Sequence, residues 1–170
     1  MSSVAFAKLG NSNLIMLLAT HSLVGAFIGK EIGYPPLAFL LGIISHMLLD
    51  AIPHADGPDD KPDQKESDPI SFDQYALVAV DIAMGLVVFI YLGSKGELST
   101  SAIWGAIGSI LPDALDNVPF YSGKLRSIFS PLKLFHQFHA RIQRIKLSMI
   151  AGLAVQYAIA LIFFILMILL

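Results

Sequence analysis

Cysteine is absent from this 170-residue chain. That removes disulfides, thiolate metal sites and cysteine nucleophiles. Charge is scarce as well: Asp, Glu, Lys and Arg make up 14% of the residues, against roughly 25% in soluble domains. The formal net charge is -2, without the basic excess that holds a phosphate backbone, so no nucleic-acid partner is expected. Several enzyme signatures are also missing. There is no HExxH of zinc proteases, no GxSxG of serine hydrolases and no DGxxAR of CDP-alcohol phosphotransferases. Five histidines are too few for the His boxes of a desaturase. What is abundant is apolar surface, with 55% hydrophobic residues and a mean hydropathy of +0.70. This composition predicts a small polytopic membrane protein whose chemistry rests on His, Asp, Glu, Ser and backbone.

A bilayer core of about 30 Å takes about 20 apolar residues as a helix. Residues 13–30, 35–52, 72–93, 98–115 and 147–170 fit that pattern. The expectation is an all-α, single membrane domain over residues 1–170 with about five transmembrane helices. No small-x-small cleavage site follows Ile28, so the first span is expected to stay in the mature chain. Each of the first four spans holds polar residues and is expected to pack around something polar. The fifth carries no charge and is expected to face more lipid. Nine Lys and Arg fall on the side of the N-terminus, the 53–71 loop and the 116–146 segment, against two on the other side. The positive-inside rule then places the N-terminus in the cytoplasm and the C-terminus outside, in a prokaryotic cytoplasmic membrane. The 53–71 loop, with four prolines and six acids, reads as a solvated linker or a lid.

The chain carries an internal similarity. Thr20–Gly25 (THSLVG) aligns with Val80–Gly85 (VDIAMG), pairing His21 with Asp81 and Gly25 with Gly85. Gly42–His54 aligns with Gly105–Asn117, pairing Gly42 with Gly105, His46 with Ser109, Asp50 with Asp113 and His54 with Asn117. These pairings predict two repeated helical hairpins in parallel rather than inverted orientation.

The ionisable residues of the spans gather in one half of the membrane. His21 lies about 12 Å from the cytoplasmic end of its span, with Asp81 at a similar depth. His46 lies about 9 Å from the end of its span and Asp50 about 3 Å. Asp113 and Asp116 end the fourth span, and His54 follows the second. An ionisable group inside a span is costly and marks function by default. His46 and Asp50, four apart, share a helix face, as do Asp113 and Asp116, three apart. The donor set His21, His46, Asp50, Asp81, Asp113 and Asp116 mixes nitrogen and oxygen. It suits zinc first, with manganese or iron also accommodated, as one or two ions. Each residue also has a plainer reading. His21 can bond a backbone carbonyl, Asp81 can pair with His21, the two later aspartates can end a helix, and His54 can be a loop residue.

Residues 130–146 read as an amphipathic interfacial helix. Phe135, Phe138, Ile142 and Ile145 form its apolar stripe, and Lys133, Arg141 and Arg144 face away. One reading makes it an anchor on anionic lipid. The other has His139 close over the metal site, with His136 as ligand or proton donor.

THSLVG, SHMLLDAIPH, and GSILPDALD followed by LFHQFH resemble the small membrane-bound metal-dependent hydrolases of the YdjM type. The His46–Asp50 helix also resembles the zinc-dependent phospholipase C and single-strand nuclease superfamily. That second resemblance implies His46 and Asp50 as ligands, His54 as the following histidine, and phosphoester cleavage. The superfamily's N-terminal amino ligand has no counterpart here.

The expected function is metal-dependent hydrolysis of a lipid or amphiphilic phosphoester at the cytoplasmic leaflet, with membrane lipids as surroundings. Asp113 or Asp81 would orient or deprotonate the water, and His139 or His136 would protonate the leaving group. Lys124, Arg126 or Lys133 would bind the phosphate. The same intramembrane acids and histidines would also serve a metal-ion or proton transporter, and His21 with His46 could ligate haem. The outer halves of the first four spans lack ionisable residues, which disfavours a pathway through the bilayer.

Overall fold

A computed structural model describes residues 18–54, 72–118, 121–142 and 147–170. Those residues form seven helices and no strand. They are α1 (Leu18–Ile32), α2 (Pro35–Asp50), α3 (Phe72–Ser94), α4 (Thr100–Asp116), α5 (Ser122–Ile128), α6 (Ser130–Ile142) and α7 (Met149–Leu169). The all-helical expectation holds for the described residues. The 53–71 loop from residue 55 on, the stretch 13–17 of the first expected span, and residues 143–146, with Arg144 and Ile145, lie outside them.

Local chemistry sets the helix ends. Gly33 takes φ of 66° after α1, a left-handed cap that costs glycine nothing. Pro35 and Pro36 then open α2, where their missing N–H groups would have had no partner. α4 starts at Ser99, whose side chain accepts from the Ala102 N–H at 3.1 Å. α2 stops before the expected residue 52 because Pro53 follows, and the residue ahead of a proline disfavours helical backbone.

Lys30, near the end of α1, donates to Glu97 at 2.5 Å and to the Met167 carbonyl at 2.8 Å. The ends of α1 and α7 and the α3–α4 turn therefore share one end of the bundle. The buried apolar cluster of Leu23, Ala26, Leu92, Ala102, Ala106 and Met167 lies toward that end. The buried histidines and aspartates gather at the other.

The three central helices each bury a stripe with spacing four. On α1 it is His21, Gly25 and Gly29. On α2 it is Ala38, Gly42, His46 and Asp50. On α4 it is Ser101, Gly105, Ser109 and Asp113. The small residues let backbones touch. A Cβ on Gly105 would collide with the Gly25 carbonyl, and one on Gly42 with the Gly105 carbonyl. Gly42 and Gly105, equivalent in the internal similarity, thus face each other. The first helices of the two hairpins diverge: α1 is central, and α3 packs outside it.

Two described helices are long and apolar enough to cross a membrane, over Tyr75–Ser94 and Met149–Leu169. Over the described residues, α1, α2 and α4 run 15, 16 and 17 residues, short of the roughly 20 that span a bilayer core. The expected five spans therefore become two that meet the length criterion. α5 was not expected. On α6, Phe138 and Leu134 point outward, 56% and 67% exposed, while His139 is 1% exposed. The expected stripe of Phe135 and Phe138 is thus split, because the face turned to the bundle is the one carrying His139.

Replacing Gly105 by Val should destabilise the bundle by about 1–3 kcal/mol, the usual cost of overpacking. Unfolding titrations of wild type and variant in matched detergent check this.

Candidate metal centre

α2 delivers His46 and Asp50 on successive turns of one face, and α4 delivers Asp113 and Asp116 across from them. α1 adds His21, and α6 brings His139 from outside the central helices. All six are at most 5% exposed. Two groups of donors lie close enough to hold an ion, His21–His46–Asp50 and His46–Asp113–His139, and they share His46.

In a tetrahedral zinc site with Zn–N near 2.05 Å, neighbouring donors sit about 3.3 Å apart. His46 Nε2 lies 3.3 Å from His139 Nε2, 3.2 Å from Asp50 Oδ2 and 3.5 Å from Asp113 Oδ1. His139 Nε2 lies 2.6 Å from Asp50 Oδ2 and 3.9 Å from Asp113 Oδ1. These separations surround the tetrahedral edge. The tautomers suit ligation too. His46 Nδ1–H donates to the Ser109 carbonyl at 2.6 Å, leaving the Nε2 lone pair to an ion. Asp113 Oδ1 accepts from Asn117 Nδ2 at 2.7 Å, and its Oδ2 is buried without a hydrogen-bond partner. A buried carboxylate oxygen in that state is costly unless a cation meets it.

Asp116 stands one layer back. Its Oδ2 accepts from His139 Nδ1 at 3.0 Å, the carboxylate–histidine arrangement that orients a metal ligand. Its Oδ1 accepts from His136 Nδ1 at 2.8 Å and from Arg126 at 3.0 Å. Burial raises the pKa of Asp116, but its bonds to His136 and His139 outweigh that and hold it well below the usual carboxylate range. Burial lowers the pKa of His139, but its bonds to Asp116 and Asp50 overcome that and lift it to about 9. With neutral imidazoles, the carboxylates of Asp50, Asp113 and Asp116 exceed the Arg126 guanidinium by two charges, which one divalent ion balances.

Beyond Asp116 lies an open cleft of about 400 Å³ lined by Arg126, Ser127, Ser130, Lys133, His136 and Gln137. Lys124, expected beside the phosphate, is exposed and not among these lining residues.

The structure does not bring every expected residue together. Asp81 belongs to neither donor group: its Oδ2 accepts from the Ala19 N–H of α1 at 3.1 Å. It caps a helix instead of pairing with His21. His54 is buried next to the site, with Nδ1 bonded to the Ile52 carbonyl at 2.7 Å. Its own carbonyl accepts from Leu147 N–H at 2.9 Å, tying the end of α2 to the start of α7. The sequence reading missed the supporting groups Ser109 and Asn117. Their signal was present, since Ser109 shares the stripe of Gly105 and Asp113, and Asn117 follows Asp113 by one turn.

No protein-family model, curated protein or solved structure matches the chain.

An imidazole with pKa about 9 is protonated at neutral pH, and an ion must displace that proton. Metal affinity should therefore rise with pH up to about 9, by about tenfold per unit for one proton displaced. Calorimetric Zn²⁺ titrations in buffers of different ionisation enthalpy should show proton release at pH 7 that fades above pH 9.

Proposed function

We propose that this chain is a membrane-embedded, metal-dependent hydrolase of the YdjM-like kind that cleaves a lipid or amphiphilic phosphoester from the cytoplasmic side. One observation carries this reading: a buried His/Asp donor group with near-tetrahedral spacing stands one carboxylate away from a basic cleft.

The surface supports placing all five long helices in the membrane. Leu40 and Leu48 on α2, Val87 and Ile90 on α3, Trp104 on α4 and Leu161 on α7 are exposed. Apolar exposure on this scale marks contact with lipid. The shorter α1, α2 and α4 would be accommodated by local thinning of the bilayer. α5 and α6 then lie at the cytoplasmic interface, with Ile128, Phe129, Leu134 and Phe138 exposed to the acyl region.

In this reading His46, His139 and Asp113, with Asp50, would hold zinc; manganese or iron would fit the same donors. The ion would polarise a phosphoryl oxygen and bring the pKa of a bound water near 7. Arg126 and Lys133 bind the phosphate in the cleft, with Ser127 and Ser130 as hydroxyl donors. Asp113 orients the attacking water through the oxygen left unpaired by Asn117. Because His139 is among the donors, the proton for the leaving group comes from His136, which Asp116 holds at Nδ1. A transporter would need a polar route to the far end. There the described residues present the apolar cluster and the Lys30–Glu97 pair.

The test is phosphate or headgroup release from phospholipids and isoprenoid phosphates in detergent. Chelation should abolish turnover, and His46→Ala or Asp113→Ala should lower it at least about 100-fold. Arg126→Ala should raise KM more than it lowers kcat. Turnover untouched by chelator would refute the mechanism, and metal uptake into liposomes without turnover would favour transport. Topology is separately testable, because the chain has no native cysteine. In oriented vesicles, single cysteines at Lys95 and Lys124 should label from opposite sides.

A further inference from the structure

We propose that the centre has two unequal metal seats joined by the Asp50 carboxylate, and that the second seat, at His21, fills only when a phosphate-type dianion is bound. The proposal deepens the metal-dependent reading above and rests on it.

The two donor groups cannot each use His46. Its Nδ1–H is committed to the Ser109 carbonyl at 2.6 Å, so Nε2 offers one lone pair to one ion. His139 is limited in the same way, because its Nδ1 bonds to Asp116. Both Nε2 atoms belong together, 3.3 Å apart, and Asp113 joins them. That set is the first seat.

Asp50 reaches both ways. Its Oδ2 lies 3.2 Å from His46 Nε2 and 2.6 Å from His139 Nε2. Its Oδ1 turns to His21 Nε2, at 3.4 Å. A carboxylate with one oxygen toward each seat is the bridge found where two ions sit about 3.5–4 Å apart. His21 has no other role in the described structure: it is 5% exposed and its Nδ1 is buried without a hydrogen-bond partner. Its ring centroid lies 4.4 Å from that of His46, with the two planes tilted by 39°. His54, buried after α2, is close enough to His21 to act on it electrostatically.

Charge makes the seats unequal. The first ion neutralises the carboxylate excess of the buried pocket. A second would leave two positive charges in a site shielded from water, a costly state without an anion. A dianionic phosphate, the group that the neighbouring basic cleft suits, supplies that balance. Occupancy of the second seat and binding of phosphate are then reciprocally coupled.

The experiment is equilibrium dialysis of the full chain in detergent, stripped with chelator and titrated with Mn²⁺, with and without inorganic phosphate. We expect about one Mn²⁺ per chain without phosphate and about two with it, the latter as a spin-coupled pair in electron paramagnetic resonance. His21→Gln, checked for folding by circular dichroism, should keep the first ion and lose the second. His139→Gln should lose the first. One ion at saturating phosphate, or two ions unaffected by His21→Gln, would overturn the two-seat proposal while leaving a metal centre in place. No Mn²⁺ or Zn²⁺ under any condition would instead overturn the metal-dependent reading itself. The spin-coupled signal on wild type decides the question even where a variant fails to fold.

Discussion

Gly105 is the point on which the rest of the molecule depends. Its missing side chain lets the backbone of α4 meet that of α1 at Gly25, and its carbonyl fills the space left by the missing side chain of Gly42 on α2. Without a hydrophobic drive between helices in lipid, such close approach is what holds a bundle together. The contact also fixes register. One turn further along, His46 meets the Ser109 carbonyl; one turn beyond that, Asp50 and Asp113 come to flank the same histidines. A bulkier residue at 105 would push those rungs apart together, since side chains four apart on a helix move as one face.

Asp116 plays a comparable part at the polar end. Its carboxylate touches the orienting nitrogen of His139, the ring of His136 and the guanidinium of Arg126. Interior and cleft are therefore electrostatically joined. α6 depends on this junction, because its two histidines are its main polar ties to α4. The helix that completes the donor set is also the one whose other face carries Leu134 and Phe138 outward. A membrane surface engaging that face would steady the centre from outside.

The internal similarity was legible as paired residues, yet the two hairpins use it differently. In the second helices the pairing is physical: Gly42 faces Gly105, and His46 faces Ser109. In the first helices it lapses. His21 enters the site, while Asp81 caps the helix that carries His21. Their depths as expected from the sequence are the same, so depth could not separate a ligand from a cap. What separates them is that α1 packs against both α2 and α4, while α3 packs outside, against α1.

The sequence by itself determined the all-helical class, the gathering of the histidines and span aspartates at one end, and His46 and Asp50 as donors on one helix face. Those follow from helical period and composition, which need no partner helix to be read. Tertiary structure alone decided that His139 joins His46 within 3.3 Å, across 93 residues of sequence. It also decided that Asp116 stands behind His139, that Asp81 stands apart, and that Lys124 misses the cleft. Each of these depends on which face one helix turns to another. That choice is made by glycine contacts and by the burial of charge, and periodicity along a single chain does not contain it.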